Sequence, residues 1–325
     1  MKKLLSLLVL LLLVGCQSSK PAEQAAEGGK DSGKKVKVGI VQFMDHVSLD
    51  AAREGFIEQL KESGIDAEVI EQSANGDMSL TNTIAQSLKA DGVDLIYAIA
   101  TPAAQAAKNT VTDIPIVFSA VTDPIGAELV KTFEKPDSNV TGVSDYVSSE
   151  AQIDSFLKIY PNIKTFGVIY NTSEQNSLVQ IEELKGNLSK RGIELETVGV
   201  SAVTDIPQAV ASIAPKIDAL FALTDNLVAN AAPIVSDTLI KSKLPSLSAE
   251  EGQVKNGLLM SEGVNYKEQG KQAGRMAVKI LNGEQVDDIP VELNEVNTKL
   301  VNVKTAEALG VDLNADSFKD AEKIQ

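Results

Sequence analysis

The 325-residue chain contains no tryptophan, one cysteine, one histidine and three arginines. Each scarcity removes a class of chemistry. A single cysteine permits no disulfide framework within the chain and no thiolate cluster for zinc. A single histidine, His46, would have to serve any Ser-His-Asp triad, any imidazole-bound metal and any imidazole base. Arg53, Arg191 and Arg275 all fall in helical patterns away from strand ends, so no arginine fork is at hand to clamp a carboxylate or phosphate. Acidic residues outnumber basic ones, 45 to 30, giving a formal charge of −15. That balance excludes nucleic acid as a partner, which needs a basic face. Neither G-x-x-x-x-G-K-[ST] nor G-x-G-x-x-G occurs. The expectation is a chain with no catalytic residues, no metal and no cofactor.

What is present is a repeated α/β plan. Residues 35–71 read strand, turn, helix, strand. Val36, Val38, Ile40 and Val41 form a β-branched run suited to a buried parallel strand. Leu49, Ala52, Phe56 and Leu60 recur at helical spacing, and Gly64 stands where a helix must end in a left-handed residue. Residues 164–200 repeat the order. Gly39 precedes Gly64 by 25 positions, and Gly167 precedes Gly192 by 25. VDLIYAIATPAAQAA is answered by IDALFALTDNLVANAA, and IPIVF by LPSLS. Generic βαβ units also resemble one another, but three successive units with order and spacing retained point to a tandem duplication. The expected fold is α/β, with two similar lobes. Each is a parallel sheet flanked by helices, with a ligand cleft between them. A 43% apolar content is ample for two cores.

The N-terminus reads as a targeting segment. Lys2 and Lys3 precede an apolar run, Leu4 to Val14, too short to span a bilayer. It ends in Leu13-Val14-Gly15-Cys16, which resembles the lipobox of bacterial lipoproteins, with Cys16 the expected lipidation site; a plain signal peptide with an incidental cysteine is the alternative. The expected domains are a signal peptide at 1–15, then the lipidated cysteine and a flexible tether at 16–35. Lobe one takes 36–145 plus about 265–288, and lobe two takes 146–264 plus about 289–313. A tail at 314–325 is expected to fray. The tether is rich in Ser, Gly, Ala, Glu and Lys and cannot bury a core.

Ligands of open parallel sheets bind beyond the carboxyl ends of the strands. In lobe one those ends offer Gln42, Phe43 and His46, then Thr101, Ala103 and Ala104, then Ser119, Thr122 and Asp123. Lobe two offers Tyr170, Asn171, Glu174, Asn176 and Ser177, then Thr224, Asp225 and Asn226. Any one of these Ser, Thr, Asn or Asp residues also reads as a helix N-cap. As a set they line a cleft in which hydroxyls and a helix N-terminus, at Thr101–Ala104 with Ser119 and Thr122, take a ligand carboxylate. Asp225, with Asp123 as the second candidate, takes an ammonium. Phe43, Tyr146 and Tyr170 fall at strand ends, as wall or as core. A zwitterion so received suggests an amino acid.

The stretches GIVQFMDHVSLDAAREGF, ATPAAQAA, PIVFSAVTDP, TGVSD, TFGVIYNTSEQNS, TDN, GKQAGRMAVKILNGE and IPVE, in this order and spacing, resemble one family. It is the ABC transporter substrate-binding lipoproteins that include tryptophan- and tyrosine-type binding proteins. The likeness covers nearly everything from Lys35 to Asp312. One loop departs: the family often has Glu-His-Pro-Ala-Leu-Asp where this chain has Asp45-His46-Val47-Ser48-Leu49-Asp50. The resemblance implies a type I periplasmic-binding fold that closes on an amino acid, an aromatic one such as tryptophan, tyrosine or phenylalanine. It implies delivery to a separate permease and ATPase, a monomer, and an extracytoplasmic body held to the bacterial membrane by lipid on Cys16. A receptor that reports ligand to a membrane signalling protein, or one for another small polar solute, is the alternative. Replacement Cys16→Ala is expected to release the protein from membranes. Continued sedimentation with membranes after a high-salt wash would contradict the anchor.

Overall fold

In the computed structural model residues 35–325 are described; the apolar leader, Cys16 and the tether lie outside them. The first half alternates strand and helix: β1 (Val36–Gln42), α1 (Val47–Glu62), β2 (Ala67–Ser73), α2 (Met78–Ala90), β3 (Leu95–Ile99), α3 (Thr101–Thr110), β4 (Ile116–Val121) and β5 (Val140–Ser144). The second half repeats it: α4 (Ser149–Leu157), β6 (Thr165–Asn171), α5 (Gln175–Ser189), β7 (Glu194–Val200), α6 (Ile206–Ile213), β8 (Ala219–Ala222), α7 (Asn226–Asn230), α8 (Ala232–Lys241), β9 (Ser246–Glu250), α9 (Glu251–Lys255) and β10 (Met260–Val264). Then follow α10 (Tyr266–Leu281), β11 (Glu292–Leu293), β12 (Asn297–Asn302), α11 (Val303–Leu309) and β13 (Glu322–Ile324).

The strands form two sheets, β11-β5-β4-β3-β1-β2 and β13-β12-β10-β9-β8-β6-β7. The order of β1 to β5 in the first is that of β6 to β10 in the second, so the duplicated sequence builds the same sheet twice. All pairs are parallel except β10 with β12. Helices cover both faces, and β3, β4 and β5 are accordingly buried along their whole length. Gly64 and Gly192 end α1 and α5 at φ 75° and 66°, as the repeated spacing requires.

Helix α10 enters from the second sheet yet packs on the first lobe, against α1. Two glycines permit it. A Cβ on Gly55 would stand 2.0 Å from the Lys267 carbonyl oxygen, and one on Gly270 would stand 2.0 Å from that of Ala52. The helices therefore meet backbone to backbone. Beneath them Phe56 stacks on Tyr97 with ring centroids 3.9 Å apart.

Two details differ from expectation. Residues 292–293 pair with β5 in the first sheet, so the chain leaves that lobe after Leu293 rather than near 289. The last residues do not fray: Phe318 is buried and β13 pairs with β12, covering what is otherwise a sheet edge. The chain thus passes between lobes three times, after β5, after β10 and after β11.

Candidate functional site

The carboxyl ends of the two sheets face each other, and the lobes touch there directly. His46 Nε2 lies 3.3 Å from Asn226 Oδ1. The Ser48 hydroxyl donates to Glu250 Oε2 at 2.6 Å. Thr122 and Thr224 hydroxyls pair at 3.2 Å, and Asn230 Nδ2 donates to the Asp45 carbonyl at 2.9 Å. Between these contacts lies a small cavity, about 10 Å³ in this closed arrangement. Its walls mix apolar Leu49, Ala120, Ala229 and Tyr266 with polar His46, Ser48, Asp145, Thr224, Asp225, Asn226 and Glu250. Burial lowers the pKa of His46, against the opposing pull of Asn226, Asp50 and Asp45.

Four carboxylates are buried around this cavity: Asp145, Glu174, Asp225 and Glu250. No lysine or arginine among the described residues pairs with any of them; the three arginines bind surface acids, Arg53 with Glu71, Arg191 with Asp154 and Arg275 with Glu295. Three of the four are answered by neutral donors. Glu174 accepts from the Asn171, Asn176 and Asn226 side-chain amides and from the Asn226 and Leu227 backbone N–H groups. Asp225 accepts from Asn171 N at 2.6 Å, Ser177 Oγ at 2.7 Å and Val228 N at 2.9 Å. Glu250 accepts from Ser48 Oγ, Gly252 N and Gln253 N. Asp145 differs. Its Oδ2 accepts from the Tyr266 hydroxyl at 2.7 Å, while its Oδ1 has no partner. Burial raises the Asp145 pKa, with Tyr266 and Thr122 opposing.

The expected residues divide accordingly. His46, Thr224, Asp225 and Asn226 line the cavity. Asp225, expected to hold an ammonium, is an N-cap of α7 with both oxygens engaged by its own lobe. Glu174, Asn171, Asn176 and Ser177 stand behind it and fix its geometry. Thr122 bridges to Thr224, whereas Asp123 closes a turn by accepting from Gly126 N. Gln42 is absorbed within lobe one, donating to Met44 O, Asp45 and Asp50 and accepting from Arg53. Phe43 is core, Ser119 is held by the Tyr97 hydroxyl, and Tyr170 packs on the core of the second lobe. Tyr146 stands 44% exposed and walls no part of the cavity.

Thr101, Ala103 and Ala104 form the buried first turn of α3, and the Thr101 hydroxyl has no partner. Ala100 and Ala120, at the neighbouring ends of β3 and β4, hold φ of 84° and 54°, a conformation costly for a residue with a side chain. Ala120 N donates to Gln269 Oε1, leaving Gln269 Nε2 buried and unpaired. Strain and unpaired polar atoms thus gather on the lobe-one side of the cleft.

Sequence reasoning missed Asp145, Tyr266 and Ser48, whereas Glu250 follows β9 at the rim where a strand end places it in the cleft. Asp145 closes the stretch TGVSD and leads into the first passage between lobes; Tyr266 opens α10 just after the second. The signal was available: residues at the passages stay near any ligand held between the lobes.

The family model described as ABC transporter substrate binding protein matches residues 37–325. The tyrosine-binding protein of Clostridioides difficile (strain R20291) is 41% identical over 98% of this chain and 95% of its own length. A structure from Streptococcus pneumonia in complex with L-Trp superposes with a TM-score of 0.85 at 34% identity, covering 90% of this chain and all (100%) of that one. A ligand-free, open substrate-binding protein with adhesive properties from Clostridium difficile gives 0.69 at 42% identity, covering 89% of this chain and 99% of that one. More distant solute-binding proteins share the periplasmic-binding fold. Closer sequence with poorer superposition is what a difference in lobe angle produces, and the cross-lobe hydrogen bonds describe a closed cleft.

Burial, and then the neighbouring charge of Asp225, raise the Glu174 pKa from 4.5 to about 7, while Asn226 and Asn176 pull it down. Burial also raises Asp225, so the two titrate as a pair. Folding therefore takes up a proton between the unfolded value of 4.5 and about 7. That contribution to stability is complete below 4.5 and is lost as pH rises through about 7. Ligand-free melting across this window is expected to show stability falling with rising pH, and Glu174→Gln is expected to flatten the slope. A slope that the substitution leaves intact would assign the proton elsewhere.

Proposed function

The chain belongs to the ABC transporter substrate-binding proteins, and from that premise we propose that it receives an aromatic L-amino acid in the interlobe cavity for an ABC importer. The family is one of binding proteins rather than enzymes. Among the described residues no helix is long and apolar enough to cross a membrane. In this reading the lipid on Cys16 holds the protein outside the cell membrane, and the permease and ATPase are separate chains.

One observation carries the choice of ligand class: a buried carboxylate oxygen, Asp145 Oδ1, lines the cavity and has no partner. A buried carboxylate of this kind is costly unless a cation or donor meets it. The ammonium of an amino acid supplies both. Tyr266 fixes the other oxygen and so aims the free one. The ligand carboxylate meets the first turn of α3, with the Thr101 hydroxyl and Gln269 Nε2 as unpaired donors. The absence of arginine at this rim makes the helix N-terminus the positive end of the site. The ring lies against Leu49, Ala120, Ala229 and the Tyr266 face. The names of the relatives, one tyrosine-binding and one holding L-Trp, support an aromatic side chain. Thr122, His46 and Asn226 close the cleft from either side, and Asp225 with Glu174 holds the α7 turn that carries Asn226.

Asp145→Asn keeps the shape and removes the charge. Leaving a buried ammonium without its counter-charge typically costs about 2–5 kcal/mol, or roughly 30- to several-thousand-fold in affinity. Calorimetry with L-tyrosine and L-tryptophan is expected to show that loss for Asp145→Asn. Asp225→Asn is expected chiefly to lower the melting temperature of the ligand-free protein. An Asp145→Asn variant that binds as tightly as the parent would refute the assignment.

A further inference from the structure

Gly252 sits in the first turn of α9, at a φ outside the left-handed region, so no backbone conformation calls for glycine there. Space does. A Cβ at this position would stand 2.1 Å from the Ser48 hydroxyl oxygen, 3.1 Å from Glu250 Oε2 and 3.2 Å from the Ser48 backbone nitrogen. Ser48 belongs to the first turn of α1 in lobe one; Gly252 and Glu250 belong to lobe two. A side-chain carbon at this point would push the Ser48 hydroxyl off Glu250 and crowd the Ser48 backbone nitrogen.

The chemistry at the contact is built for making and breaking. Glu250 Oε2 accepts both from Gly252 N, within its own lobe, and from Ser48 Oγ at 2.6 Å across the cleft. Its Oε1 accepts from Gln253 N. When the lobes part, the carboxylate regains water and keeps its two backbone donors, so opening strands no buried charge. When they meet, the hydroxyl completes its shell. All three groups are buried in the closed form. Of the three, Gly252 does not line the cavity.

We infer that Gly252, with the Ser48–Glu250 hydrogen bond above it, is the seat on which the two lobes come to rest, and that it positions the closed cleft without touching ligand. The seat sets how far the lobes shut. A binding protein whose competent closed form is less populated loses apparent affinity in proportion. The seat therefore tunes affinity for any ligand the cavity holds. Its effect on affinity rests on the amino-acid reading above; the contact itself does not.

Two experiments separate these. The first uses the full chain carrying Cys16→Ala with Thr122→Cys and Thr224→Cys, whose hydroxyls pair across the closed cleft at 3.2 Å, under mild oxidant, with Gly252 kept or replaced by alanine. A disulfide needs its two Cβ atoms within about 4.5 Å, so its rate of formation reports closure. The crosslink is expected to form slowly alone, faster with saturating L-tyrosine, and more slowly in both conditions with Gly252→Ala. A crosslink rate that Gly252→Ala leaves unchanged overturns the seat. A crosslink that forms at one rate with and without L-tyrosine or L-tryptophan keeps the seat and counts against the amino acid. The second experiment compares Gly252→Ala with the parent by calorimetry on L-tyrosine. Affinity is expected to fall roughly tenfold or more, with the ligand-free melting temperature unchanged. Equal affinity in parent and variant overturns the proposal.

Discussion

Where the two sheet rims meet, four carboxylates are buried that no lysine or arginine among the described residues neutralises. That constraint organises the cleft. Three of the four are met by amide, hydroxyl and backbone donors: Glu174 and Asp225 around the α7 turn, and Glu250 at the start of α9. A carboxylate ringed by such donors tolerates burial because each bond to a charged acceptor is stronger than a neutral one. Asp145 is the exception, with one oxygen committed to Tyr266 and the other free. The distribution turns a general cost of burial into a specific demand. In the proposed reading, the ligand's ammonium completes the site by entering beside Asp145.

The same reasoning explains how closure is made reversible. Among the described residues, side-chain hydrogen bonds across the cleft are few: His46 with Asn226, Ser48 with Glu250, Thr122 with Thr224, Asn230 with Asp45. Each is a single hydrogen bond of modest net worth, about 1 kcal/mol. Such contacts alone hold the lobes weakly, so ligand can decide the balance between open and closed. By contrast α10 is locked on α1, within lobe one, by glycines at backbone distance.

The fold was legible because its signals are local and repeated. Gly64 and Gly192 mark equivalent helix ends, and the β-branched runs of β1 and β6 open equivalent units. The site was legible only in outline. His46, Thr224, Asp225 and Asn226 follow strand ends and were placed in the cleft by topology alone. Their roles were not legible, because an aspartate before a helix reads the same whether it caps that helix or meets a ligand. Asp225 caps. Asp145 and Tyr266 stand at passages between lobes and become neighbours through a hydrogen bond spanning 121 residues, a relation no local pattern carries. Phe43 and Gln42 look like cleft residues in sequence but turn inward, Phe43 into the core and Gln42 onto four partners of its own lobe.

The central claim is that ligand draws two like lobes together over a cavity between them. Small-angle scattering of the Cys16→Ala chain, with and without L-tyrosine at a concentration that calorimetry shows to be saturating, tests it most directly. Hinge closure predicts a smaller radius of gyration in the bound form and a scattering curve matching the closed arrangement described above. Identical curves at saturation would mean a rigid pocket and would contradict the account.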